Sequence, residues 1–96
     1  MEQYDVKKLV VYQKAEHLLY QVYPKLINFP KAEKYALSQN IKQNFFDLLK
    51  NIALANSVKS KRMEYLQTAD GYLQVLKVLF DLSMQRKYIR VLNVPF

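Results

Sequence analysis

Apolar residues recur at helical spacing along most of the chain. In residues 6–28 they are three or four positions apart, so their side chains stack on one face of a helix. These residues are Val11, Ala15, Leu18, Val22 and Leu26. The pattern predicts a first helix over residues 6–28. Pro24 lies inside it and has no N–H to bond one turn back, so we expect a kink or break near residues 20–23.

A longer apolar seam predicts a second helix over residues 30–56. The seam consists of Leu37, Ile41, Phe45, Leu48, Ile52 and Ala55. Pro30 has the φ angle that suits a first helical turn, which places the predicted start there. A further apolar set lies beside the seam, at Phe46, Leu49 and Ala53. The resulting band is wider than a surface helix needs, so the helix should make a second contact.

The third predicted helix covers residues 61–89. Its seam consists of Leu66, Ala69, Leu73, Leu76, Phe80 and either Ser83 or Met84. A second apolar face, formed by Val75, Val78, Leu79 and Leu82, leaves only a narrow polar stripe, so this helix should be buried on most sides. Gly71 lies inside the helix and indicates either a close approach by another helix or simple tolerance of glycine.

These patterns predict an all-α fold. One glycine and three prolines provide little turn chemistry for many strands, and 51% hydrophobic residues require a packed interior. We expect one domain over residues 1–96, an up-down antiparallel bundle of the four-helix type. The apolar tail, residues 90–96, is too short for another long helix, so the fourth helix is expected to be short or missing. The spare apolar faces favour an oligomer.

The charge balance favours an acidic partner. Fifteen Lys and Arg against eight Asp and Glu give a formal charge of +7, which attracts RNA, DNA or an acidic protein face without choosing among them. The chain has no cysteine, and its longest apolar run near the start, LVVY at residues 9–12, is too short for a signal peptide. No run is long enough to span a bilayer, so a cytoplasmic protein without membrane contact is expected.

The residues that support catalysis or metal binding are scarce. The chain has one histidine, His17, and no cysteine, so a metal site lacks ligands. Its carboxylates are thinly spread, and neither Ser38 nor Ser60 has a base nearby in sequence. A single glycine cannot form a phosphate-binding loop. We therefore expect no enzyme, no catalytic residue, no metal and no cofactor.

A basic surface with interspersed tyrosines is the remaining candidate site. The residues that would contact phosphates are Lys31, Lys42, Lys50, Lys59, Lys61, Arg62, Arg86, Lys87 and Arg90. Eight tyrosines are available to stack on unpaired bases. The alternative is that these tyrosines flank the core with their hydroxyls in water.

Three segments carry a resemblance to a known family: YPKLINFPKAEKYALSQNIKQ, LLKNIALAN and YLQTADGYLQVLKVLFDLSMQRKYI. The elements YP, FPK, EKY and IK, followed by ADxxLxxLK, resemble the accessory variability determinant proteins of diversity-generating retroelements over about residues 8–89. Proteins encoded by intervening sequences in bacterial 23S ribosomal RNA genes share FPK and EKY. They continue with a segment like SNIAEG, whereas this chain reads KNIALANS, which favours the retroelement family.

The resemblance implies a homopentamer of small basic four-helix bundles that binds a reverse transcriptase and its template RNA, or DNA, and assists mutagenic cDNA synthesis without catalysis. The family's basic positions match Lys31, Lys34, Lys42 and Lys77. Asp81 departs from this pattern and would repel phosphate. The family continues into a fourth helix after a segment like RKYI. Two other functions stay open, a stand-alone RNA-binding bundle of the intervening-sequence type and a purely structural helical oligomer.

Overall fold

A computed structural model describes residues 9–90 and contains three α-helices: α1 (Val10–Val22), α2 (Leu37–Ser57) and α3 (Arg62–Gln85). Short 3₁₀ segments join them, at Tyr23–Asn28, Lys31–Glu33 and Lys59–Lys61. Residues 9–90 contain no strand, and the all-α bundle is confirmed. The molecule is elongated, measuring 47 × 20 × 18 Å. The prediction of a single domain over residues 1–96 stays a prediction.

The apolar seams meet along α2, which packs against both other helices. Every residue of its predicted seam is buried. The rings of Phe45 and Phe80, 5.8 Å apart, join α2 to α3. In the first seam, Val11 is wrongly predicted, since it is exposed. Tyr12, three residues before Ala15, packs against the core at that turn instead.

The predicted break in the first helix is confirmed at Pro24. The α-helix ends at Val22, and the chain continues as the 3₁₀ segment Tyr23–Asn28 with the proline in its first turn. Leu26 and Phe29 remain buried, so the apolar face continues although the helix type changes. This segment turns the chain from α1 towards α2.

The predicted start of the second helix, residue 30, is wrong: α2 begins at Leu37. Before it, Glu33 N–H bonds to Pro30 and Lys34 N–H to Lys31, both in the tighter 3₁₀ pattern. No apolar spacing spans residues 31–36, and packing of an apolar face is what stabilises most protein helices. Without such a face, this stretch forms a turn.

The predicted end of the third helix, residue 89, is also wrong, because α3 ends at Gln85. Lys87 has a φ of 62°, in the left-handed region. Its N–H bonds to Met84 O at 3.0 Å, and Tyr88 N–H bonds to Ser83 O at 2.9 Å. These two bonds form a Schellman motif, which stops the helix and directs Ile89 back into the core.

The prediction that α3 is buried on most sides is wrong for the described residues. Val75, Val78 and Leu82 are exposed, Val78 by 65%, and so is Leu66 of the predicted seam. On α2, Phe46 is exposed as well. No helix within residues 9–90 packs over these faces. The apolar tail from residue 91 onward, where a short or missing fourth helix was predicted, lies outside the described residues.

Candidate nucleic-acid interface

Basic side chains collect where the start of α2 meets the end of α3. The rings of Phe29 and Tyr88 lie 5.3 Å apart, and the Tyr88 hydroxyl donates a hydrogen bond to Glu33 Oε2 at 3.3 Å. These contacts hold the turn before α2 against the segment after α3. The cations on these two segments, together with the one on the Tyr23–Asn28 segment, form the basic end: Lys25, Lys31, Lys34, Arg86, Lys87 and Arg90.

One part of the basic end is a shallow groove of about 270 Å³. Lys25, Lys87 and Arg90 line it together with Asn28, Tyr88 and Ile89. The left-handed turn at Lys87 brings the residues that follow it back towards the 3₁₀ segment that contains Lys25. Three cations beside one groove favour an anionic ligand. Lys25 was not predicted as a site residue, because it continues the helical spacing of Lys14, His17 and Gln21, which predicts a polar stripe facing water.

A second cleft, of about 360 Å³, lies between the Tyr23–Asn28 segment and the start of α2. We call it the tyrosine cleft; its lining residues are Tyr23, Pro24, Leu26, Ile27, Lys34, Tyr35, Ser38, Gln39 and Lys42. Lys42 Nζ lies 5.1 Å from the centroid of the Tyr23 ring, a cation–π contact. Lys34 belongs to both the basic end and this cleft, so the two surfaces are continuous.

The remaining predicted site residues lie elsewhere. Lys50 is exposed in the second half of α2, and Lys77 is half-buried on α3. Arg62 has a structural contact, because its Nε donates a hydrogen bond to Ala55 O at 3.0 Å. Asp81, which departs from the family pattern, is exposed on α3 one turn after Lys77. The structure thus brings together Lys31, Lys34, Arg86 and Lys87, with Lys42 in the adjoining cleft.

Sequence reasoning missed three residues of the tyrosine cleft: Tyr35, Ser38 and Gln39. Ser38 was considered only as a nucleophile, Tyr35 only as one of eight tyrosines that could stack on bases, and Gln39 was given no role. The signal available in the sequence was the spacing of the polar residues themselves. Ser38 and Lys42 are four residues apart, which places them on one face of α2.

The side chains that could bind a metal ion are dispersed within residues 9–90. No group of three or more His, Asp or Glu in that range is placed to hold a metal ion. His17 is exposed and bonds to Gln21 through the two Nε2 atoms, 2.8 Å apart. None of the described helices combines the length and the apolar character needed to cross a membrane.

Comparison with known proteins supplies the family. The model of the bAvd-like family matches residues 9–94. Neither the curated proteins nor the solved structures yield a match. The resemblance to the accessory variability determinant family is therefore confirmed. Because the match includes all three helices, the chain belongs to the bAvd-like family, which is a family of accessory, non-catalytic type and suggests an accessory protein of retroelements.

Proposed function

We propose that this protein is the accessory subunit of a diversity-generating retroelement, acting in the cytoplasm as a homo-oligomer that bridges the reverse transcriptase and its template RNA. The observation that carries the proposal is the family match over residues 9–94. In this function the chain contributes binding surfaces to mutagenic cDNA synthesis and leaves the chemistry to the transcriptase.

The placement of charge supports a polyanion partner. Six cations surround one end of a 47 Å molecule, and two of the predicted residues, Lys34 and Lys42, line the adjoining tyrosine cleft. Phosphate contacts made by such side chains provide affinity that is independent of sequence. Exposed tyrosines beside them add a means of contacting unpaired bases. RNA is therefore a better fit to this end than a rigid acidic protein face.

A matched pair of charge reversals tests RNA binding. One variant carries Lys31→Glu, Lys34→Glu and Arg86→Glu at the basic end, and the other carries Lys50→Glu, Lys59→Glu and Lys61→Glu in the opposite half of the molecule. Both change the formal charge of +7 by the same amount. Affinity for template RNA is measured by fluorescence anisotropy at several salt concentrations.

We expect the basic-end variant to lose affinity at least tenfold and to show a weaker salt dependence, by about 0.7 in the log–log slope for each lost contact to single-stranded RNA. The other triple should stay within about threefold of the parent protein, because it removes only long-range attraction. Equal losses in both variants would show that net charge alone drives binding, and would favour a structural oligomer whose charge confers solubility.

The transcriptase is tested separately. If the gene lies beside one for a reverse transcriptase with a variable repeat, the two proteins are co-expressed and purified through a tag on the transcriptase. The expected result is co-purification that survives nuclease treatment. A protein that binds RNA yet never accompanies the transcriptase would contradict the bridging function and favour the stand-alone RNA-binding alternative.

A further inference from the structure

We propose that the tyrosine cleft binds one unpaired nucleotide of the RNA, an inference that rests on the proposed function and assigns a role to residues outside the predicted set. Tyr35 would stack on the base, Lys34 and Lys42 would hold the flanking phosphates, and Ser38 with Gln39 would contact the base edge.

Tyr35 is unlike the other tyrosines that surround the core. Its side chain is 92% exposed, whereas Tyr12, Tyr72 and Tyr88 pack against buried residues. A ring almost wholly in water contributes little to the fold, and its face is free to meet a base. Tyr23, on the opposite segment of the cleft, is also exposed, so the cleft offers two rings. Stacking of this kind requires a base that is not paired within a duplex.

The charge of the cleft fits a phosphate on each side of that base. Lys34 and Lys42 are its two cations, and none of its nine lining residues carries a carboxylate. The contact with the Tyr23 ring positions the Lys42 ammonium at the edge of the cleft. A cation held in place loses less freedom when it meets an anion.

The hydroxyl of Ser38 lacks a hydrogen-bond partner among the described residues. The residue itself is 3% exposed. Two other helical hydroxyls do bond to the carbonyl four residues back: Ser83 Oγ to Leu79 O at 2.7 Å, and Thr68 Oγ1 to Glu64 O at 2.9 Å. For Ser38 that carbonyl belongs to Lys34, which lies in the turn before α2. Its hydroxyl is therefore a buried polar group without a partner in the lining of the cleft, and a ligand must come close to it to supply one.

The size of the cleft limits the ligand. Its volume of about 360 Å³ is near the lower end of the roughly 300–1,000 Å³ typical of small-ligand pockets. One nucleotide fits this space, and a duplex does not, because its bases are stacked and paired. An acidic peptide would satisfy the two lysines but would leave the exposed Tyr35 ring without a stacking partner. The combination of features therefore favours single-stranded RNA over a peptide of the transcriptase.

The test compares a labelled single-stranded oligouridylate with a labelled RNA duplex of similar charge. Tyr35→Ala should weaken single-strand binding about tenfold, as loss of one base stack typically does, and should leave duplex binding unchanged. Tyr35→Phe keeps the ring and should bind like the parent protein. Ser38→Ala should weaken only the single strand, by about fivefold, through one lost hydrogen bond. Tyr20→Ala is the matched control, an exposed tyrosine outside the cleft.

A second measurement does not depend on affinity. An oligonucleotide carrying 5-iodouridine is crosslinked by light to the parent protein, and the modified peptide is identified by mass spectrometry. We expect the crosslink at Tyr35 or Tyr23. Crosslinks confined to other peptides would overturn the inference even if RNA binding itself is strong.

The outcomes separate this inference from the proposed function. If the parent protein binds the single strand and Tyr35→Ala loses no more affinity than Tyr20→Ala, the cleft is not a nucleotide site and the proposed function stands. If the parent protein binds neither RNA, both fail. If Tyr35→Ala keeps RNA affinity but no longer accompanies the transcriptase, the cleft is a protein-binding site and the inference is wrong.

Discussion

Lys87 is the residue at which local strain and charge coincide. It is the one non-glycine residue with a positive φ in the described part of the chain, at 62°. A left-handed conformation costs an ordinary residue about 1–2 kcal/mol, and glycine avoids that cost, which is why glycine usually occupies this position of the motif. Here a lysine occupies it and lines the groove with Lys25 and Arg90. Charge at the basic end is therefore obtained at some cost in stability.

Lys87→Gly should raise the free energy of unfolding by about 0.5–1 kcal/mol, because the gain at the left-handed position exceeds the greater freedom of glycine in the unfolded chain. Urea unfolding followed by circular dichroism measures the change. Lys87→Ala is the control, since it removes the same charge and keeps the strain. If the unfolding free energy rises equally in both variants, removal of charge repulsion, rather than backbone conformation, accounts for the effect.

Gly71 lies in the interior of α3, where glycine lowers helix stability unless a neighbouring helix needs the space. A Cβ built on this residue meets no atom within 4 Å, so no neighbouring helix requires glycine there. Gly71→Ala should therefore stabilise α3 by about 0.5–1 kcal/mol through helix propensity and reduced freedom of the unfolded chain. The thermal midpoint should rise by a few degrees. Gln67→Ala, at another exposed position of the same helix, should stay within about 0.5 kcal/mol of the parent protein. A loss of stability in Gly71→Ala would indicate a partner that approaches this face.

At the scale of the elements, Arg62 ties the end of α2 to the start of α3. Its Nε donates a hydrogen bond to Ala55 O in the last turn of α2, where helix carbonyls generally need partners from outside their own helix. The guanidinium thus gives a carbonyl at the end of α2 a hydrogen-bond donor, and it places a positive charge at the negative end of the α2 dipole.

Arg62→Lys tests whether the contact or the charge matters. The lysine keeps the charge but lacks the Nε–H, so we expect a loss of about 1 kcal/mol in unfolding free energy together with unchanged RNA affinity. Lys61→Ala, next in sequence and exposed, should change stability by less than about 0.5 kcal/mol. A fall in RNA affinity for Arg62→Lys at full stability would instead make this guanidinium a phosphate contact.

The helices were predictable where an apolar seam runs through them, and their ends were not. The seam of α2 from Leu37 to Ala55 is buried throughout, as its spacing predicts. The start of α2 depends on residues 31–36, which have no apolar periodicity, and the end of α3 depends on a left-handed lysine where sequence reasoning looks for glycine. Helix ends are decided by local hydrogen bonds, and hydrophobic patterns carry little information about those.

The site was less predictable than the fold, because its residues come together only through the turns. Lys31 and Lys34 were identified as basic positions, but their neighbours Arg86 and Lys87 are more than fifty residues away in sequence. The tyrosine cleft requires a 3₁₀ segment on one side and a late helix start on the other. The sequence alone indicated that cations and tyrosines were present, and the tertiary structure brings Lys34, Lys42 and Tyr35 together.

At the scale of the whole molecule, charge and apolar surface occupy different places. Six of the cations form the basic end, whereas Val75, Val78 and Leu82 form an exposed strip along α3. An exposed apolar strip on a small helical protein is typical of a contact with another chain. In the proposed oligomer, subunits would pack through these apolar strips, and the basic ends would stay open to the proposed RNA partner.

Val75→Glu tests whether the strip joins copies of this chain. The parent protein should show, by light scattering, a mass several times that of one chain, and five times if the pentamer implied by the resemblance forms. Val75→Glu should reduce that mass, because it places a charge in an apolar contact where no partner group satisfies it. Val75 is exposed in the single chain, so helicity should be unchanged. Gln74→Glu is the matched control, with the same charge change about 100° away around α3, and should keep the parent mass. An equal drop in both variants would point to general charge repulsion, and no drop in Val75→Glu would place the subunit contact on another face.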